Sequence, residues 1–203
     1  MCNDRIIIVT TEHSFKGERD ILVQLMELGV GKIHIRKPGM SKKRLLELLE
    51  SIPEPFRRRL VIHHHLDLAV EIGAGGIHLP YRQLSGNKFL IPHDLTLSAS
   101  VHSWDEAGMA MKLCSYCMIS PVFDSITKTG YSANPELSIM PDSLRKQKIY
   151  ALGGITEGHL HQTLAMGYFG IASLGFIWQD PNEAVENAKL LMQELTEWGN
   201  DYE

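Results

Sequence analysis

Ser120-Pro121-Val122-Phe123-Asp124-Ser125-Ile126-Thr127-Lys128 follows directly on the apolar run Cys117-Met118-Ile119. Hydroxyls at 125 and 127 with an ammonium at 128 can surround one oxyanion, and a preceding strand end would fix where that oxyanion sits. The same residues also serve as turn formers and solvated surface groups. Other chain segments decide between the two. Ala151-Leu152-Gly153-Gly154-Ile155 and Ala172-Ser173-Leu174-Gly175-Phe176 each carry an apolar run into a glycine-bearing turn, where backbone N–H groups can approach a phosphate closely. The joint expectation is a phosphate site built from Ser125, Thr127, Lys128, Gly153, Gly154, Leu174 and Gly175.

Two further runs carry polar groups on one face of an apolar strand. Leu95, Leu97, Ala99 and Val101 alternate with Thr96, Ser98, Ser100 and His102, so a period of two sends the second set to one side. His102 lies just before Ser103, where the positive end of a following helix would disfavour imidazolium and keep the ring available as a base. A histidine bonded to its own loop is the plainer alternative. Ile33 and Ile35 likewise alternate with Lys32, His34 and Arg36. A cation pointing inward is costly unless it meets an anion, so Arg36 is expected to meet either a ligand or an internal carboxylate.

His63-His64-His65 closes one apolar run and His78 the next. His63 and His65 share a face at i, i+2 and could hold a transition metal. With no carboxylate at ligand spacing, the expectation is neutral hydrogen-bonding imidazoles and no metal. Cys2, Cys114 and Cys117 are too few for a disulfide framework. The Cys114-Ser115-Tyr116-Cys117 pair opens a buried strand instead of a helix, the wrong place for a thioredoxin-type redox pair, and no second C-x-x-C exists to complete a zinc site.

The elements that must position these groups are legible in the pattern. Strand-like runs near 5–9, 32–36, 59–63, 76–79, 95–101, 116–120, 148–152 and 169–173 alternate with amphipathic helical segments. Ser41 and the Ser103-Trp104-Asp105-Glu106 box can cap helices. Thr156 precedes another, and Asp180-Pro181-Asn182-Glu183 opens the last, whose stripe is Ala184, Ala188, Leu191 and Leu195. Pro53, Gly29 and Gly167 are stops. Eight such repeats, with no glycine-rich turn after the first strand, favour an α/β single-domain (β/α)8 TIM barrel over residues 1–203 with a parallel eight-stranded sheet. Such barrels place ligands at the C-terminal ends of their strands, where the residues above fall.

Composition excludes several classes. The 203 residues carry a formal net charge of −4 with a pI near 6.2, which gives no basic field for nucleic acid. No run of 18 uncharged apolar residues crosses a membrane and no long signal-like segment opens the chain, so a cytoplasmic location is expected. Oligomeric state is left open, a homo-oligomer included.

From Arg5 to about Trp178 the order of motifs resembles the thiamine phosphate synthase superfamily, one branch of which contains the thiazole tautomerases. The motifs are His34-Ile35-Arg36, Asp67-Leu68-Ala69, Gly76-Ile77-His78-Leu79, Ser100-Val101-His102-Ser103, Ser120-Pro121-Val122-Phe123, Thr127-Lys128, Leu152-Gly153-Gly154-Ile155 and Gly170-Ile171-Ala172. The resemblance implies a barrel that holds a thiazole phosphate in thiamine biosynthesis, with His102 as acid/base and His34, Arg36, His63 and Ser100 at the substrate. The synthase joins a pyrimidine pyrophosphate to the thiazole phosphate with Mg²⁺, which the family seats on Asn-Asp after strand 3 and Asp after strand 4. Those positions are His63, His64 and Gln83 in this chain, and the family's Arg-Glu-Lys has become Arg36-Lys37-Pro38. The resemblance therefore points to a thiazole tautomerase-like isomerase that needs no cofactor. The alternative is a synthase with altered metal ligands and Mg²⁺. A catalytically silent sensor of thiazole or thiamine phosphate is a third reading, of another class.

Overall fold

The computed structural model describes residues 3–84, 91–124 and 132–201. Eight parallel strands close into one barrel in chain order, β1 beside β8: β1 Asn3–Val9, β2 Val30–Ile35, β3 Leu60–His63, β4 Gly76–Pro80, β5 Thr96–Val101, β6 Tyr116–Ile119, β7 Ile149–Leu152 and β8 Gly170–Ser173. The expected α/β barrel is the observed fold, and the strand positions agree with the expected runs to within two residues.

Helices α1 Glu18–Leu28, α2 Lys42–Ser51, α3 Glu54–Arg57, α4 Leu66–Glu71, α5 Trp104–Ala110, α6 Leu160–Ala165, α7 Gly175–Trp178 and α8 Ala184–Asp201 surround the sheet. Their apolar faces meet the outward strand residues in one continuous core. Leu22, Leu25 and Met26 of α1, Leu45 and Leu49 of α2 and the stripe Ala184, Ala188, Leu191 and Leu195 of α8 are buried against Ile6, Ile8, Ile33 and Ile35 and their neighbours. Burying each large aliphatic side chain is worth about 1.5–3 kcal/mol relative to exposure. Ser41 accepts a bond from the Arg44 N–H, and Gly29 ends α1 in a left-handed conformation with φ +107.

Among the described residues, the helix expected in every connection is not found in two of them. There β4 is followed by a 3-10 turn over Tyr81–Gln83, and β6 by 3-10 turns over Pro135–Ser138 and Asp142–Leu144. Pro135 and Pro141 each lack an N–H and push the preceding residue out of helical geometry, so the segment between them makes only single turns.

Inside the barrel the two halves differ. Ile7, Val9, Tyr116, Met118, Tyr150 and Ala172 form an apolar cluster along β1 and β6–β8. Across from it, His34, His63, His78 and Ser98 are buried polar groups from β2–β5. Barrel interiors are ordinarily filled by branched apolar side chains, so a histidine-lined half needs a hydrogen-bonding explanation.

Candidate active site

The rim at the C-terminal ends of the strands is built by contacts from loop to loop. His102 follows β5, and Ser103 caps α5 by accepting the Glu106 N–H at 3.2 Å. The Glu106 carboxylate returns to accept the His102 N–H at 2.7 Å, one residue earlier than in the usual reciprocal box. The cap therefore fixes the backbone of the histidine itself. Its ring is fixed by the next loop, because Nδ1 lies 2.8 Å from the Ser120 carbonyl oxygen. A carbonyl only accepts, so Nδ1 carries a proton, and it is Nε2 that holds the lone pair whenever the ring is neutral. His102 is exposed, at the mouth. The plainer alternative of a bond to its own loop is replaced by a bond across to the loop after β6.

That loop leads to the glycine turn after β7. Val122 N–H donates to the Leu152 carbonyl and Phe123 N–H to the Gly153 carbonyl, at 3.0 and 3.1 Å. Gly153 and Gly154 have φ +98 and +64, and a Cβ on Gly154 would stand 2.2 Å from the Asp124 carbonyl oxygen. Only glycine allows this turn to close against the β6 loop. His159 braces it from behind, with Nδ1 donating to the Gly154 carbonyl at 2.9 Å and the ring stacked on Phe123 at 4.1 Å. Leu174 and Gly175 begin α7 at the end of β8, the strand paired with β7. Ring and glycine turns thus share one rim. Ser125, Thr127 and Lys128 lie outside the described residues.

Below the rim runs a belt of polar side chains. His63 on β3, His78 on β4, Ser98 on β5 and Tyr116 on β6 are successive register partners across four strands. Ser100 Oγ lies 2.6 Å from His78 Nε2, and Ser98 Oγ 2.9 Å from His78 Nδ1. His34 crosses the interior, with Nε2 2.7 Å from the Tyr116 hydroxyl and Nδ1 3.1 Å from His63 Nε2. Burial holds the pKa of His34 and His63 well below the ordinary imidazole range and that of His78 down to about 3, with the neighbouring imidazoles adding to it. All three are neutral at pH 7. His34 is wholly buried, whereas Ser100 is partly open to the mouth.

His65, which the sequence pairs with His63, lies outside this cluster. His64 between them has φ +70 and is exposed, so the run does not continue as a strand. His78, Ser98 and Tyr116 were not assigned to the site from sequence, although their even spacing along β4–β6 puts them on the face of Ser100. His159 gave no such signal, since its role depends on a turn closed by a distant loop.

Arg36 meets a carboxylate, pairing with Glu12 from the loop after β1. The pair is solvent-exposed, with side-chain exposures of 38% and 45%, so it is not the internal carboxylate partner expected as the alternative to a ligand. Lys37 is buried, with Nζ on the Glu18 carboxylate and 3.1 Å from the His13 carbonyl. Cys114 and Cys117 are buried free thiols whose pKa burial raises to about 11 and about 12, which keeps both protonated and unreactive.

A (β/α)8 barrel with an oriented histidine, hydroxyls and glycine turns gathered at its C-terminal rim belongs among the barrel enzymes of small-molecule metabolism. More narrowly, the family described as thiamine monophosphate synthase matches residues 6–177, and the chain belongs to that family of thiamine biosynthesis. The thiamine-phosphate synthase of Hydrogenobaculum sp. (strain Y04AAS1) is 26% identical over 200 residues, which cover 93% of this chain and 94% of that protein. A crystal structure of thiamine phosphate pyrophosphorylase from Bacteroides thetaiotaomicron matches at TM-score 0.75 and 31% identity, over 95% of this chain and 98% of that one. Thiamine phosphate pyrophosphorylase from Pyrococcus furiosus shares the fold at TM-score 0.75 and 20% identity. These relatives carry the synthase's name.

The Mg²⁺ that the family implies does not fit the residues at this rim. Hard Mg²⁺ takes oxygen ligands in octahedral geometry. The positions that should supply carboxylates hold His63, His64 and Gln83. Glu12, which follows β1, is paired with Arg36, Glu18 with Lys37, and Asp67, which follows β3, with Lys42.

Proposed function

We propose that the chain binds a thiazole phosphate and aromatises it by moving one proton, as a thiazole tautomerase-like isomerase of thiamine biosynthesis. The observation that carries this reading is the tautomer of His102, set by the Ser120 carbonyl, which leaves Nε2 as a base at the mouth. Nε2 takes a proton at one carbon of the carboxythiazole tautomer, and the resulting imidazolium returns one at the other, between ring and exocyclic positions. No net electron or proton change results. Backbone N–H groups of Gly153, Gly154, Leu174 and Gly175 hold the phosphate, with Ser125, Thr127 and Lys128 completing its shell. Ser100 and Arg36 orient the ring at the rim, above His34 and His63.

A second reading is favoured by a different observation, the names of the relatives: a transferase that joins hydroxymethylpyrimidine pyrophosphate to the thiazole phosphate. The side chains that should seat Mg²⁺ weigh against it. Two assays on one preparation separate the readings. The first supplies the carboxythiazole tautomer alone and follows conversion to the aromatic form. The second supplies aromatic thiazole phosphate, the pyrimidine pyrophosphate and Mg²⁺ and follows thiamine phosphate. Isomerisation without thiamine phosphate formation is expected. Robust thiamine phosphate formation with no isomerisation would establish the transferase instead, and tight binding without either would establish a sensor.

A further inference from the structure

His34, His63 and His78 have no part in the proton transfer just described, yet three strands converge to bring them together. One ring nitrogen of each lies within 4.8 Å of the others. The rings are packed with centroids 4.3 Å apart for His63 and His78, 5.1 Å for His34 and His78 and 5.3 Å for His34 and His63. His34 Nδ1 and His63 Nε2 face each other at 3.1 Å. Two imidazole nitrogens on one tetrahedral ion, each bonded at about 2.0–2.1 Å, stand about 3.3–3.4 Å apart. The gap suits a shared ion nearly as well as a shared proton.

The surrounding groups favour the ion. Ligating imidazoles ordinarily donate their second N–H to an oxygen that fixes ring and tautomer. His34 Nε2 has the Tyr116 hydroxyl at 2.7 Å. His78 has Ser98 on one nitrogen and Ser100 on the other, so whichever nitrogen faces the cluster, the other is held. Filling the cluster needs the proton between His34 and His63 to move to an outer nitrogen and one His78 nitrogen to exchange its serine hydroxyl for the ion. The donor set is nitrogen alone, which suits zinc and its neighbours and not Mg²⁺ or Ca²⁺. His63 keeps 8% exposure while His34 and His78 keep 0% and 1%, so the open direction is past His63.

We propose that His34, His63 and His78 form a binding site for one borderline divalent metal ion, zinc above all, with a remaining coordination position opening toward the barrel mouth. The site stands independently of which reaction the rim performs. It also replaces the sequence expectation of a cluster without metal, and it uses His34 and His78 where sequence spacing offered His65.

The test uses the full chain without a polyhistidine tag. Protein is incubated with excess Zn²⁺, freed of unbound metal by gel filtration and assayed for metal content. About one ion per chain is expected. His63→Asn and His78→Asn should each weaken binding by about tenfold or more, whereas His161→Ala, at the exposed pair with Glu194, should leave it unchanged. The Co²⁺-loaded unmodified chain should show the intense visible absorption of a four-coordinate site, a readout that does not depend on the variants folding. Failure to retain zinc, retention unaltered in the cluster variants, or a weak six-coordinate cobalt spectrum would each overturn the proposal.

Discussion

A single hydrogen bond sets the chemistry attributed to His102. Ser120 can only accept through its carbonyl, so the protonated nitrogen is assigned by the partner, and the reactive nitrogen follows from it. Gly154 shows the same dependence on one position. Its φ of +64 and the 2.2 Å approach of a built Cβ to the Asp124 carbonyl leave no room for a side chain. Gly154→Ala should cost about 1–3 kcal/mol of stability through the left-handed conformation and raise the KM for a phosphorylated substrate more than it lowers kcat. Urea unfolding and steady-state kinetics on the variant check both. An unchanged KM would mean that the turn does not hold phosphate.

Strands were the most legible elements, because alternation in β5 and β2 assigned faces without knowledge of neighbours. Ser98, Ser100 and His34 point inward as period two requires, and Ala99, Val101, Ile33 and Ile35 join the outer core. Caps written locally were also legible: Ser41 and Ser103 accept the N–H bonds expected of them. Connections were less so. Prolines at 135 and 141 turn an expected helix into separate 3-10 turns, and Asp180 begins such a turn before α8. The histidine belt was half legible. Sequence gave the inward face of each strand, but the alignment of His63 with His78, and of His78 with Ser98, is a property of register, which the barrel's stagger sets between strands. For the same reason His65 looked like a partner of His63 until the backbone turned at His64. The Arg36 partner was invisible because Glu12 sits on another loop.

For the whole molecule, burying three imidazoles has a consequence for stability. Their folded-state pKa values are depressed, so below about pH 6.5 the unfolded chain takes up protons that the folded barrel refuses. Stability therefore rises with pH in that window and falls on acidification, by at most about 1.4 kcal/mol per pH unit for each imidazole that stays neutral. Urea midpoints measured between about pH 7.5 and pH 4.5, above the range in which most carboxylates titrate, should fall steadily below about 6.5. His78→Asn should flatten that fall. A flat profile for the unmodified chain would show that the belt accepts protons in the folded state.

The closed sheet unites these features, since it brings the ends of β5, β6, β7 and β8 to one rim and lets one loop orient the residue of another. The most direct measurement of the central claim is isomerisation of the carboxythiazole phosphate by His102→Gln beside the unmodified chain, with substrate binding measured separately by calorimetry. Removing a placed acid/base should lower kcat by about 10²–10⁴-fold and leave the dissociation constant within a few fold. Turnover by the variant at the unmodified rate would contradict the account.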